Sequence, residues 1–112
     1  MTNAEQEWLK HLLFMKQSGA IADFTFIGDR RGLLTIGHRC TYQPDFEILT
    51  SCGDVREYHE VKGGYAREDS IIKLKCAATI FPQFLFYLIE QNKQGQWWAR
   101  HIPAITPKIK ED

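Results

Sequence analysis

The chain has 112 residues, and its 14 Lys and Arg are balanced by 14 Asp and Glu, so its formal net charge is zero. This length allows one domain with a single core and excludes a two-domain architecture. Proteins that bind nucleic acid by neutralising phosphates usually carry net positive charge. Any nucleic-acid binding by this chain therefore requires basic residues that are concentrated on one face.

Residues 3–18 are predicted to form a helix, because their apolar residues recur at helical spacing. Thr2 and Glu5 fit a capping box at its start, and Gly19 suits its end. The segment has none of the basic start and uninterrupted apolar run of a signal peptide. No stretch approaches the roughly 20 apolar residues of a membrane span. We therefore expect a cytoplasmic protein that does not contact a membrane.

Four strands are predicted next, in two hairpins. Alternating apolar residues and turn signals predict a first hairpin from residues 21–28 and 33–40. A second hairpin is predicted from TYQPDFEILT (41–50) and VREYHEVK (55–62), joined by the turn SCGD.

The rest of the chain predicts a helix, a buried strand and an edge strand. Residues 70–81 are apolar at helical spacing, with Asp69 or Ser70 as the cap and Pro82 at the end. The nearly unbroken apolar run 84–90 is typical of a strand buried on both faces, and 97–102 predicts an edge strand. A right-handed crossover would make strand 84–90 parallel to strand 55–62. The predicted fold is α/β, a mixed sheet flanked by helices, in one domain (1–102) with a loose tail (103–112).

The register of the second hairpin brings charged residues together. Counting outward from the turn places Ile48 opposite Glu57, Phe46 opposite His59 and Asp45 opposite Glu60. Residues directly opposite share a face, and Lys62 returns to the face of Glu60. A bulge in the turn would move Asp45 to a diagonal position, still near Glu60.

Two adjacent carboxylates repel, and one is expected to take up a proton unless a cation lies between them. Mg²⁺ prefers one or two carboxylates with retained waters and phosphate oxygens, and the backbone carbonyl of Val61 offers a further ligand. Lys62 beside such an ion can hold or deprotonate an attacking water. Asp45, Glu60, Val61 and Lys62 therefore indicate a site for phosphodiester hydrolysis. Glu5 lies on the apolar face of the first helix and can reach the sheet, whereas Glu7 lies on the wetter side.

Pro44-Asp45 followed by Glu60-Val61-Lys62 resembles the PD-(D/E)XK nuclease superfamily, whose core is helix, three antiparallel strands, helix, strand. TYQPDFEI, YHEVKGG, EDSIIKLKCAA and FPQFLF are similar to small phage nucleases related to phage endonuclease I and other Holliday junction resolvases. The likeness covers about residues 2–90. It implies a restriction-endonuclease-like αβββαβ core.

The resemblance also implies an activity and its residues. Asp45 and Glu60 would be metal ligands, Lys62 would position or activate water, and Glu5 would be the first-helix carboxylate. Members use Mg²⁺ or Mn²⁺ and cleave DNA, and many are homodimers. The implied function is a DNA endonuclease, acting on branched or junction DNA in phage recombination or replication in a bacterial host. The resemblance does not extend to the basic arm of junction resolvases, and the chain is neutral. The alternative function is a catalytically inactive or partner-dependent, nuclease-like DNA-binding or structural subunit of a larger complex.

Each candidate also has a purely structural interpretation. Glu5 can complete the helix cap, and Glu60 with Lys62 can be a solvated pair. His59 points away from Glu60 and is interpreted as a core or helix-facing residue. Lys73 is the candidate phosphate contact on the second helix, although such a lysine usually lies on a solvated face. The candidate DNA contacts of the first hairpin are Arg30, Arg31 and Arg39, and arginines at such a turn are also often only solvated surface residues. Of the adjacent Trp97 and Trp98, one is predicted to be core, and the other to stack a base or cover a dimer interface.

Overall fold

The structure is a computed structural model that describes residues 1–29, 34–37, 40–63 and 68–105. The described residues form two helices and seven strands. In chain order these are α1 (Asn3–Ser18), β1 (Ile21–Phe26), β2 (Leu34–Gly37), β3 (Cys40–Tyr42), β4 (Phe46–Thr50), β5 (Arg56–Lys62), α2 (Glu68–Ile80), β6 (Leu85–Gln91) and β7 (Trp97–His101). Neither helix is long and apolar enough to cross a membrane, within these described ranges.

The predicted bounds of α1 are confirmed at both ends. The side chain of Thr2 accepts a hydrogen bond from the backbone N–H of Glu5 at 3.1 Å, which satisfies one of the free donors of the first turn. Gly19 has a φ of 82°, the left-handed conformation that suits glycine at a helix end. Between these ends, α1 buries Trp8 and Leu12 against the sheet.

Five strands form one mixed sheet in the order β1-β4-β5-β6-β7. Neighbours are antiparallel, except that β5 and β6 are parallel and are connected through α2, as predicted. β7 lies at the edge, which confirms the predicted edge strand. The chain is therefore an α/β protein with a mixed sheet and two helices.

The predicted first hairpin is wrong. β1 pairs with β4, and β2 pairs with β3 in a separate two-stranded sheet. Pairing of β1 with β4 sets Phe24 opposite Ile48 and Phe26 opposite Phe46, so these apolar residues join one core cluster under α1. This burial favours the long-range pair over a local hairpin. The predicted strand 41–50 is accordingly two strands, divided by residues 43–45.

The second helix begins earlier than predicted. α2 starts at Glu68, so Asp69 and Ser70 lie within its first turn and are not its N-cap. It ends at Ile80, two residues before Pro82, as expected for a residue that cannot continue a helix.

The sheet is covered on both faces. Trp8 and Leu12 of α1 pack on one face with Phe46, Val61 and Ile89. On the other face, α2 packs on β5 and β6 through a cluster that includes Tyr58, Leu74, Ala77, Phe86 and Leu88. Beyond β7, the backbone N–H of Ile105 donates to Oγ1 of Thr79 at 2.9 Å. Residues 106–112 of the predicted tail lie outside the described residues.

Candidate functional site

The predicted register between β4 and β5 is confirmed. Phe46 is paired with His59 and Ile48 with Glu57, with no shift along the ladder. The pairing extends beyond β4, because the backbone N–H of Asp45 donates to the carbonyl of His59 at 3.1 Å. Asp45 is thereby held at the end of β4 beside Glu60.

The carboxylate and the backbone of Asp45 are both fixed. Its Oδ2 accepts the backbone N–H of Val61 at 2.8 Å. Its carbonyl accepts the N–H groups of Ile27 and Gly28, at 2.8 and 3.1 Å. Pro44, immediately before it, is fully buried. The aspartate therefore sits on a rigid connection, the arrangement that keeps a reactive group in place.

Glu60 is buried, with 8% of its surface exposed, and both of its oxygens have partners. Oε1 forms an ion pair with Nζ of Lys62 at 3.2 Å, and Oε2 accepts a hydrogen bond from the hydroxyl of Tyr42 at 2.7 Å. Burial, with the charge of Glu60, raises the pKa of Tyr42 far above its ordinary value. The phenol is therefore a neutral hydrogen-bond donor throughout the physiological pH range.

Asp45 and Glu60 face a cleft of about 560 Å³. The first turn of α1, from Thr2 to Glu5, forms one wall, and the end of β5 with Gly63 forms the other. Glu5 lines this cleft and its charge acts on Asp45, while its backbone N–H donates to the Thr2 cap. Capping by Thr2 and a role in the cleft are compatible. Glu7 faces solvent, paired with Lys10 at 3.6 Å, as expected.

The site holds a carboxyl group that titrates near neutral pH. Burial raises the pKa of Asp45 to about 7, and the charge of Glu60 adds to the rise. Glu5 also raises it, whereas the Val61 N–H and the Lys62 ammonium lower it. A strongly shifted carboxyl group beside a charged partner in a cleft is typical of functional sites.

Two glycines keep the space around these carboxylates open. A Cβ added at Gly28 would lie 2.8 Å from the ring of Phe26 and 3.2 Å from Oδ1 of Asp45. A Cβ added at Gly63 would lie 2.8 Å from the Cβ of Ala4, in the first turn of α1. Any side chain at either position would therefore move a wall of the cleft or the carboxylate itself.

We expect Gly63→Ala to lower the free energy of unfolding by about 1–3 kcal/mol, because its Cβ must push the first turn of α1 away from β5. Urea unfolding measures the effect. Ala4→Gly is the matched second change, since it removes the atom that the new Cβ would meet. In the wild-type background Ala4→Gly costs about 0.5–1 kcal/mol through helix propensity, and in the Gly63→Ala background it should restore stability. Additive losses would contradict this contact.

The other predicted residues lie outside the cleft or outside the described residues. Lys73 is exposed on α2 and does not line the cleft. Arg30, Arg31 and Arg39 lie outside the described part of the chain. His59 faces α1 as predicted, and its Nδ1 accepts a hydrogen bond from the indole Nε1 of Trp8 at 3.1 Å.

Tyr42 was missed in the sequence because its role depends on the β2-β3 sheet. Its strand ends three residues before Asp45, so a continuous strand 41–50 would have made it an ordinary strand residue. In the structure, β3 belongs to the second sheet and delivers the hydroxyl to Glu60. The signal available in the sequence was a tyrosine two residues before Pro44-Asp45.

Among the described residues, no group of three or more His, Cys, Asp and Glu is arranged as a metal site. Comparison of the chain with protein-family models, with curated proteins and with solved structures finds no match.

Proposed function

We propose that the protein is a metal-dependent DNA endonuclease that hydrolyses phosphodiester bonds. The observation that carries the proposal is the convergence of Asp45, Glu60 and Lys62 on one cleft, with Lys62 at 3.2 Å from Glu60. Such a set combines oxygen ligands for a hard cation with a cationic donor for water or phosphate. Glu5 adds a third carboxylate to the lining of the same cleft.

The order of elements supports a restriction-endonuclease-like core. α1 is followed by three antiparallel strands, β1, β4 and β5, then by α2 and the parallel strand β6. This is the αβββαβ order that the PD-(D/E)XK resemblance implies. In this interpretation the β2-β3 hairpin is an insertion between the first two core strands, and it supplies Tyr42 to Glu60.

The donors in the cleft fit Mg²⁺ or Mn²⁺. Mg²⁺ needs only one or two carboxylates and keeps several waters, so Asp45, Glu60 and the Val61 carbonyl are a sufficient protein set. A carboxylate also has lone pairs beyond those that Tyr42 and Lys62 use on Glu60. When bound, the cation would supply positive charge to the phosphoryl oxygens as negative charge develops on them.

The chain's own residues would orient the carboxylates, donate to the attacking water and contact the DNA phosphates. Tyr42 and Lys62 hold the Glu60 carboxylate in one orientation, and the Val61 N–H does the same for Asp45. Lys62, with 28% of its side chain exposed, can donate a hydrogen bond to the attacking water. Lys73 and the arginines at 30, 31 and 39 are the proposed contacts to the DNA phosphates, since a neutral chain must concentrate its basic residues.

The proposal predicts cleavage that needs both a cation and Asp45. Purified protein should nick or linearise plasmid, or cut single strands or a four-way junction, with Mg²⁺ or Mn²⁺ and not with EDTA. Asp45→Ala should abolish cleavage, because it removes a proposed metal ligand from the cleft. Asp54→Ala, in the exposed turn at the opposite end of the hairpin, is the control and should cut like wild type. Cleavage that survives Asp45→Ala would refute the assignment of the site.

A second candidate function is a nuclease-like subunit that binds DNA, or assembles with a protein partner or a second copy, without cutting. The observation that favours it is that both oxygens of Glu60 already have partners within the chain. DNA binding without cleavage, on every substrate and with either cation, would support this function over the first.

A further inference from the structure

A second cleft, of about 680 Å³, opens between α1 and the turn that joins β6 to β7. Aromatic residues dominate its lining: Trp8, His11, Trp97 and Trp98. The ring centroid of Trp97 lies 5.4 Å from that of Trp8 and 5.9 Å from that of His11, so these three rings pack against one another. Trp98 lies beside them and keeps 51% of its surface exposed.

The exposure of Trp98 is not explained by packing. Trp97, its neighbour, packs on the core beneath α1 and is partly buried. Trp98 points to the opposite face of the edge strand, because successive residues of a strand alternate. Tryptophan is one of the residues that most often carry the binding energy of an interface.

The sheet places Trp98 on the same face as the candidate catalytic lysine. Lys62 of β5 is in register with Glu90 of β6, and Glu90 is in register with Trp98 of β7. Residues in register on adjacent strands share a face. Two strand spacings separate Lys62 from Trp98, about 10 Å. That is within the span of two consecutive nucleotides of an extended strand.

Charge near Trp98 favours a nucleic acid over an apolar partner. Arg100 lies two residues further along β7, on the same face and exposed, and Lys93 is exposed in the adjoining turn. These cations can contact phosphates on either side of a stacked base. On the neighbouring strand, Glu90 lies between Trp98 and Lys62. An aromatic ring flanked by basic residues is the usual platform for a single-stranded nucleic acid.

We infer that the exposed ring of Trp98 is a binding subsite for an unpaired nucleobase of the DNA whose phosphate lies in the cleft of Asp45 and Lys62. The part of this inference that places the DNA phosphate in the cleft of Asp45 and Lys62 rests on the proposed function. It makes single strands, flaps and junctions the preferred substrates, because a base held in a duplex cannot stack on the ring.

Binding measured in EDTA separates this inference from catalysis. Fluorescence anisotropy of a labelled single-stranded oligonucleotide should show that Trp98→Ala weakens binding by about tenfold or more, and that Trp98→Phe retains most of it. Phe14→Ala is the matched control, since Phe14 is an exposed aromatic residue (71%) on α1. It should bind like wild type. An oligonucleotide with abasic sites should bind wild type and Trp98→Ala equally.

The outcomes distinguish the two proposals. If wild type cuts DNA but Trp98→Ala binds single strands like wild type, the subsite is refuted and the nuclease stands. If wild type cuts nothing and Trp98→Ala still weakens binding, the subsite stands without the nuclease. A change from dimer to monomer in Trp98→Ala, with unchanged DNA affinity, would assign the surface to a second copy of the chain and overturn the inference.

Discussion

We expect Asp45→Asn to raise the free energy of unfolding at pH 8 in EDTA by about 1–3 kcal/mol. Burial and Glu60 raise the pKa of Asp45 in the folded protein to about 7, from an ordinary value of 3.8. The folded state therefore binds a proton more tightly than the unfolded state does. Between about pH 4 and pH 7 stability falls as the pH rises, and above pH 7 the full cost of the charged group remains.

The size of this effect follows from the shift. The rise of the Asp45 pKa from 3.8 to about 7 corresponds to roughly 4 kcal/mol, which is an upper limit because the repulsion is shared with Glu60 and Glu5. Asn is neutral at every pH, and its side-chain oxygen can still accept the Val61 N–H. Its amide group needs a new partner, which reduces the gain.

Urea unfolding at pH 4 and at pH 8 measures the difference. Wild type and Asp45→Asn should be nearly equal at pH 4, where Asp45 is protonated in the folded state, and should separate at pH 8. Asp54→Asn, which changes an exposed aspartate in the turn 51–54, should show no such pH-dependent gain. An equal gain at both pH values would contradict the charge as its cause.

The same pair of proteins tests cation binding without any activity. Adding Mg²⁺ at pH 8 should stabilise wild type, by about 2.7 kcal/mol at one hundred times the dissociation constant. Asp45→Asn should gain much less, because one ligand no longer carries charge. Under the proposed function, stability and activity are therefore opposed at Asp45, because the charged oxygen that would bind the cation costs stability in its absence.

The central part of the site could be predicted because it depends on local counting. A turn at 51–54 and the period of two along strands are enough to set Asp45 beside Glu60 and to return Lys62 to the same face. Glu5 was accessible for a similar reason, since helical periodicity assigns it to the face of α1 that meets the sheet.

The remaining features depend on contacts between distant parts of the chain. The pairing of β1 with β4 arises from apolar packing between strands that are separated by residues 27–45, which no local pattern reveals. Tyr42 reaches Glu60 only because β3 belongs to the second sheet, and the chain joins the main sheet as β4 after residues 43–45. The close approach of Gly63 to Ala4 likewise requires α1 to cross the end of β5.

We expect Lys62→Met to lower the cleavage rate by about 10²–10⁴, with a smaller effect on KM. Lys62 is the proposed donor to the attacking water, and proton transfer or hydrogen bonding of this kind contributes a factor of that order. Lys62→Arg keeps the positive charge, but the planar guanidinium places its donors differently, so cleavage should recover only in part.

Lys62→Met should also change the pH dependence of stability. A lysine with only a structural role would show part of this effect. Lys62 lowers the pKa of Asp45, so Lys62→Met should raise that pKa further and move the fall in stability to higher pH. It also removes the ion pair of the buried Glu60, whose hydrogen bond from the Tyr42 hydroxyl remains. Lys62→Arg should correct both of these stability effects while leaving cleavage impaired.

Lys10→Met is the matched control for a lysine–glutamate pair. Lys10 contacts Glu7 at 3.6 Å with both side chains largely exposed, and such pairs contribute little. It should change neither cleavage nor the pH dependence of unfolding. If Lys62→Met altered stability but left the cleavage rate unchanged, Lys62 would be only the partner of Glu60, and another group would have to orient the water. If Lys62→Arg restored full activity, positive charge alone would be sufficient at this position.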